Sequence, residues 1–161
     1  MVSTQQNAIK YFIIAIRLAL GCLFIYAGIK KFDAPAPKTP QAQTEVSEQK
    51  PAVVPENVKK IRAYIGGLKQ TGYFWPMLGI AELLGGLLLV SQAFALLGAV
   101  VLLPITLNIF LFEVYLGGGD IGEIIVHGLY LLANLLILAH GYPRLKVAFL
   151  SSNQHFQNLT T

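Results

Sequence analysis

Apolar residues in this chain gather into four long runs, at 9–32, 73–94, 95–116 and 121–142. Each has about the twenty residues needed to cross a ~30 Å hydrocarbon layer as a helix. None shows the two-residue alternation of a membrane barrel. A backbone in lipid must satisfy its own hydrogen bonds, so helices are expected. Yet the runs are not cleanly apolar, because Arg17, Glu82, Asn108, His127 and Asn134 interrupt them. A charge at mid-membrane costs at least about 2.5 kcal/mol even on insertion scales, so these groups need partners or a wet pocket.

The segments between the runs are unequal. Ser91-Gln92-Ala93 leaves almost no loop, which predicts a tight antiparallel hairpin between the second and third helices. Gly117-Gly118-Gly119-Asp120 predicts a short turn, with Asp120 as N-cap of the fourth helix and Glu123 suiting its dipole. The first connection is long. Residues 33–57 are rich in Pro, Ala, Gln, Lys and Glu and read as a flexible linker. Beyond them Val58, Ile61, Ile65 and Leu68 recur at helical spacing among Lys59, Lys60, Arg62 and Lys69. That pattern predicts an amphipathic helix over 58–70, on the membrane surface or packed over the bundle mouth. The polar tail, 147–161, is expected to fray. The predicted fold is an all-α membrane protein of one domain: a four-transmembrane-helix bundle with a short amphipathic surface helix in its first connection.

Composition agrees with this pattern. The 161 residues are 55% hydrophobic and only 12% charged, about half the charge of a soluble domain. Mean hydropathy is +0.60. A net charge of +4 invites a nucleic-acid reading. Eight of the twelve Lys and Arg, however, lie in or beside the first connection, which suits topology and headgroup contact better. Counting Lys10, Arg144 and Lys146 on the other side, the excess places the connection (33–72) in the cytoplasm. Cys22 is the single cysteine, so thiol-relay chemistry is excluded and a small packing role is expected. Lys30 and Lys31 beside Ala34-Pro35-Ala36 argue against signal cleavage, so the first run reads as a retained helix.

The interrupting residues fall on defined faces. Arg17, Gly21, Phe24 and Gly28 form one stripe of the first helix; Gly79, Glu82 and Gly86 form one of the second. Small residues there predict close helix approach. Glu123, His127, Tyr130 and Asn134 share a stripe of the fourth helix. In the third, Thr106 and Glu113 share one face, Asn108 and Tyr115 an adjacent one, and Pro104 is placed to kink the helix. On a rise of ~1.5 Å per residue, Glu82, Asn108 and His127 lie roughly 18–21 Å from the face carrying the termini, and Arg17 and Asn134 roughly 10–13 Å. The expectation is one inward polar cluster of Arg17, Glu82, Asn108, His127, Tyr130 and Asn134, with an Arg17–Glu82 ion pair at its heart. Glu113 and Glu123 are expected near the headgroups, neutralised by Lys30 or Lys31. His127 and His140 are too far apart along one helix to act together, and no metal-ligand spacing occurs.

Ile16-Arg17-Leu18-Ala19-Leu20-Gly21 with Tyr26-Ala27-Gly28-Ile29-Lys30-Lys31-Phe32 resembles the first helix of the DoxX family of small membrane proteins. The stretch from Gly72 to Leu89, with Glu82 followed by Gly85 and Gly86, resembles the second, and Leu103 to Phe112 the third. The resemblance covers all four helices and skips 33–57. It implies a four-helix protein of the bacterial plasma (inner) membrane, with Arg17, Lys31, Glu82 and Asn108 as motif positions. It also implies a link to membrane redox or oxidative-stress assemblies, since the family is named for a subunit of a thiosulfate:quinone oxidoreductase. Phe112-Glu113 departs from relatives in which a histidine is expected.

Several readings of function follow. The first is an accessory subunit that binds other membrane or peripheral proteins, or copies of itself, with a structural Arg/Glu/Asn/His network. The second is a quinone-interacting oxidoreductase subunit or proton relay, its quinone beside Glu82, Asn108 and His127. The chain carries no redox centre that would make it a self-sufficient enzyme, so the second reading needs a partner. A small-solute transporter is a third and weaker reading, because four helices offer little room for alternating access.

Overall fold

The computed structural model describes residues 2–32 and 55–150. It contains α1 (Val2–Phe32), α2 (Glu56–Gln70), α3 (Phe74–Val90), α4 (Ala95–Tyr115) and α5 (Ile121–Leu150). Residues 33–54 of the linker and 151–161 of the tail lie outside the described part. The helix expected to fray after Lys146 continues to Leu150.

α1, α4 and α5 are each long and apolar enough to span a membrane. α3 has 17 residues, about 26 Å, and lies alongside α1 and α4 as the fourth member of the bundle. Each helix runs antiparallel to its neighbour in the ring α1–α3–α4–α5, and α5 closes back on α1. We refer to the two ends of the bundle as the linker end and the α3–α4 turn end.

Glycine sets the closeness of α1, α3 and α4. A Cβ added at Gly86 would lie 2.7 Å from the Gly21 carbonyl oxygen, and one at Gly28 would lie 2.8 Å from that of Gly79. On its other face α3 meets α4, where a Cβ at Gly98 would lie 2.7 Å from the Gly85 oxygen. Backbones therefore touch with almost no side chain between them, the usual way to gain dispersion energy where water drives nothing together. Gly21 opposite Gly86 and Gly28 opposite Gly79 also define the α1–α3 register. The apolar core around this seam is Leu20, Phe24, Leu89, Ala99, Leu102 and Ile137, all buried. Cys22 lies off the seam and is exposed, so it does not pack in the core as expected.

α2 makes a 90° bend with α3. Thr71 builds the corner: its hydroxyl donates to the Leu68 carbonyl (2.7 Å) and accepts from the Phe74 N–H (3.0 Å). Gly72 turns the chain at φ 76°, a conformation that glycine adopts without a Cβ penalty. α2 then crosses the linker end of the bundle, with Asn57 against Gly118 and Tyr64 against Phe112 (centroids 5.4 Å). Its Val58, Ile61, Tyr64, Ile65 and Leu68 are half-buried, while Lys59, Lys60 and Arg62 are exposed. In its first turn Lys60 donates to the Glu56 carboxylate (2.9 Å), and that hydrogen bond and charge hold the Glu56 pKa below its ordinary value.

Candidate functional site

The polar residues of the bundle do not meet in one place. The expected Arg17–Glu82 pair is absent; Glu82, 1% exposed, is bound by Lys31 Nζ at 2.5 Å. Register and side-chain direction explain the correction. Side chains lean toward the N-terminus of their own helix, so Lys31 on α1 and Glu82 on antiparallel α3 lean toward each other. Arg17 sits opposite the end of α3 and leans away from Glu82. Its Nη1 donates to Gln92 Oε1 at 3.5 Å. Gln92 is ten residues beyond Glu82, about 15 Å along the helix axis.

Asn134 is fully buried on α5 and donates through Nδ2 to the Ala99 carbonyl (3.2 Å) and Thr106 Oγ1 (3.3 Å) of α4. Thr106 in turn donates to the carbonyls of Leu102 and Leu103, both at 3.0 Å, just before and beside Pro104. Pro104 has no N–H to give the Val100 carbonyl, so the carbonyls that Asn134 and Thr106 bind are not the one it frees. Seven residues away on both helices a second rung follows: His127 Nδ1 lies 3.9 Å from Glu113 Oε1, while contacting the Glu123 carbonyl at 2.9 Å. Tyr130 sets its ring edge-on to His127, 5.5 Å between centroids. Glu113 thus faces His127 and not Lys30 or Lys31; Lys30 lies over the Tyr26 ring at 5.6 Å.

Asn108 leaves the cluster for a geometric reason. It is 200° around α4 from Thr106, so when Thr106 faces Asn134, Asn108 faces out toward α2. There its Oδ1 accepts from the Tyr64 hydroxyl at 3.1 Å. This pair stands on one side of an apolar groove of about 320 Å³ between α2, α3 and α4, walled by Leu68, Phe74, Leu78, Val101 and Ile105. A neighbouring hollow of about 180 Å³ continues along Tyr64, Asn108 and Phe112.

Three contributors escaped sequence reading. Tyr64 belongs to the stripe Ile61, Tyr64, Ile65, Leu68, and that i, i+3, i+4, i+7 spacing was the signal available for it. Trp75 has Lys31 and Lys69 nitrogens 5.4 and 4.7 Å from its ring centroid, joining α1, α2 and α3 at the linker end. Gln92 carried no signal beyond its place in a turn. Among the described residues, no group of three or more His, Cys, Asp and Glu is disposed to hold a metal ion.

Fold and polar geometry together define a multi-pass, all-α membrane protein, its bundle pinned by helix-to-helix polar contacts and crossed at one end by a surface helix. The chain belongs to the DoxX family, whose sequence model matches residues 12–114. The match takes in α2, α3 and most of α1 and α4; α5, with His127, Tyr130 and Asn134, lies beyond it. No curated protein and no solved structure matches the chain.

Proposed function

We propose that the protein is an accessory, non-catalytic subunit of a membrane assembly of the redox or oxidative-stress kind, in a bacterial plasma membrane with the linker end cytoplasmic. One observation carries this reading: the polar side chains act in separate small sets, each pinning helices to one another. Lys31–Glu82 and Arg17–Gln92 tie α1 to α3 and its turn. The Asn134 and His127 rungs tie α5 to α4, and Tyr64–Asn108 ties α2 to α4. Such a network fixes register without assembling reacting groups. The exposed Lys59, Lys60 and Arg62 of α2 offer a partner an acid-seeking face. Gentle extraction with mass spectrometry should find a stoichiometric protein partner that is lost with Lys59→Glu/Arg62→Glu. A lone chain recovered with lipid only would reject the proposal.

The groove favours a second reading. A flat amphiphilic ring such as a quinone fits apolar walls with one amide to hold a ring oxygen, and Asn108 keeps its NH2 for that purpose while its Oδ1 accepts from Tyr64. The groove does not adjoin His127, so this site is displaced from the expected one. A short-chain quinone should raise the melting temperature of the purified protein, and Asn108→Leu should abolish the rise. No quinone-dependent shift would sink this reading.

A further inference from the structure

α2 divides into two halves fastened to different parts of the bundle. Its last turn belongs to the corner with α3. There the Leu68 carbonyl accepts from the Thr71 hydroxyl, the Lys69 carbonyl accepts from the Gly72 N–H (3.1 Å), and Lys69 Nζ lies over the Trp75 ring. The preceding arm, 56–65, crosses instead to α4 and the turn that follows it. Tyr64 donates to Asn108 and sets its ring against Phe112, and Asn57 approaches Gly118. Gly66 and Gly67 stand between the two halves.

Neither glycine is required by its surroundings. A Cβ added at either would meet nothing within 4 Å among the described residues, and neither has a positive φ. Two adjacent glycines weaken a helix through backbone entropy, so this is where α2 bends most readily. No α2 residue is fully buried, so an arm swinging there breaks little packing. What the arm covers gives the bend a consequence. Tyr64 and Asn108 line both the apolar groove of about 320 Å³ and the hollow of about 180 Å³ beside it. Of α2, only Tyr64 lines both, while Leu68 on the fixed half lines the groove alone. With Tyr64 withdrawn, the two join as one trough along α4 from Val101 to Leu116, about 22 Å long.

We propose that α2 is a gate: the arm 56–65 swings about Gly66 and Gly67, Tyr64 is its latch on Asn108, and opening joins the groove to the hollow at the linker end. An amphiphile then passes lengthwise between the groove and the linker-end surface. What passes rests on the groove's reading as a quinone site; the swing itself does not. The latch also responds to an occupant. A ligand oxygen accepting from the Asn108 NH2 polarises the amide and strengthens its Oδ1 as acceptor for Tyr64, so a filled groove favours the closed arm.

The test reads the arm's position in the full chain, in neutral detergent and first without ligand. In a Cys22→Ser background, a spin label at Ala63→Cys on the arm or Gln70→Cys on the fixed half is paired with one at Ala93→Cys or Leu132→Cys, all exposed positions. Pulsed electron paramagnetic resonance then gives the distances. The expected result is two distances from the arm and one from the fixed half. Tyr64→Phe should raise the open-to-closed ratio about two- to twelvefold, the loss of one hydrogen bond. Gly66→Ala and Gly67→Ala should each lower it about four- to fivefold, by stiffening the bend. A single arm distance in all these proteins, or arm and fixed half moving together, would overturn the gate. A short-chain quinone separates the two readings. If it raises the melting temperature and shifts the arm to the closed distance, both stand. If the melting temperature rises and the arm does not shift, the quinone site stands and the Tyr64–Asn108 latch falls. If the arm swings and no quinone changes the melting temperature, the gate stands and the quinone site falls.

Discussion

Glu82 is the residue on which the α1–α3 seam turns. A buried carboxylate deprived of its partner is expensive, and Lys31→Met should destabilise the protein by about 3–5 kcal/mol. The pair itself is replaceable: Lys31→Met/Glu82→Leu should recover most of that loss, because two well-packed apolar groups need no desolvation. Thermal unfolding of the unaltered protein, the single variant and the double variant in one detergent checks both statements. Gly86 offers a second measure. Its missing side chain admits the Gly21 carbonyl and the Ile25 backbone, so Gly86→Ala should cost about 1–3 kcal/mol by forcing the helices apart. Gly67 on α2 has open space around it, and Gly67→Ala should be neutral or stabilising by up to ~1 kcal/mol.

Among the elements, α2 is the one held most lightly. None of its residues is fully buried, and its fastenings include the Tyr64 hydrogen bond, the Tyr64–Phe112 ring contact, the Lys69–Trp75 contact and the approach of Asn57 to Gly118. Tyr64→Phe removes the first of these, worth about 0.5–1.5 kcal/mol, and should speed amide exchange across 56–70 while leaving α3 and α4 unchanged. The α4–α5 seam should respond differently. Asn134→Leu removes two hydrogen bonds at the buried centre and should lower global stability by about 0.6–1.7 kcal/mol, the range for such bonds in membrane bundles. Much of this was legible beforehand: Thr106 with Glu113 and Asn134 with His127 were already on two seven-residue stripes, needing only to be set face to face. Asn108 was assigned inward because polar residues in apolar runs usually point that way. Its true partner, Tyr64, sits on a surface helix whose position no periodicity reveals.

For the molecule as a whole, orientation is the open property that experiment reaches most directly. In a Cys22→Ser background, Ser91→Cys should react with a membrane-impermeant maleimide in intact cells. Lys59→Cys should react only after permeabilisation if the linker end is cytoplasmic. The reverse pattern would invert the topology proposed above.

Hydrophobic period and run length were enough to specify the number of helices, the amphipathic character of α2 and the glycine faces, because each is a property of consecutive residues on one element. Family membership was also readable there, from α1 through α4. Which polar group meets which was not. That depended on register and on the lean of side chains toward each helix N-terminus, which carried Glu82 to Lys31 and Arg17 to Gln92. A shift of ten residues between antiparallel neighbours leaves every one-dimensional pattern intact and changes every partner. The five groups that interrupt the apolar runs stand at different levels of the bundle with different partners, a distribution that only packing in three dimensions could set.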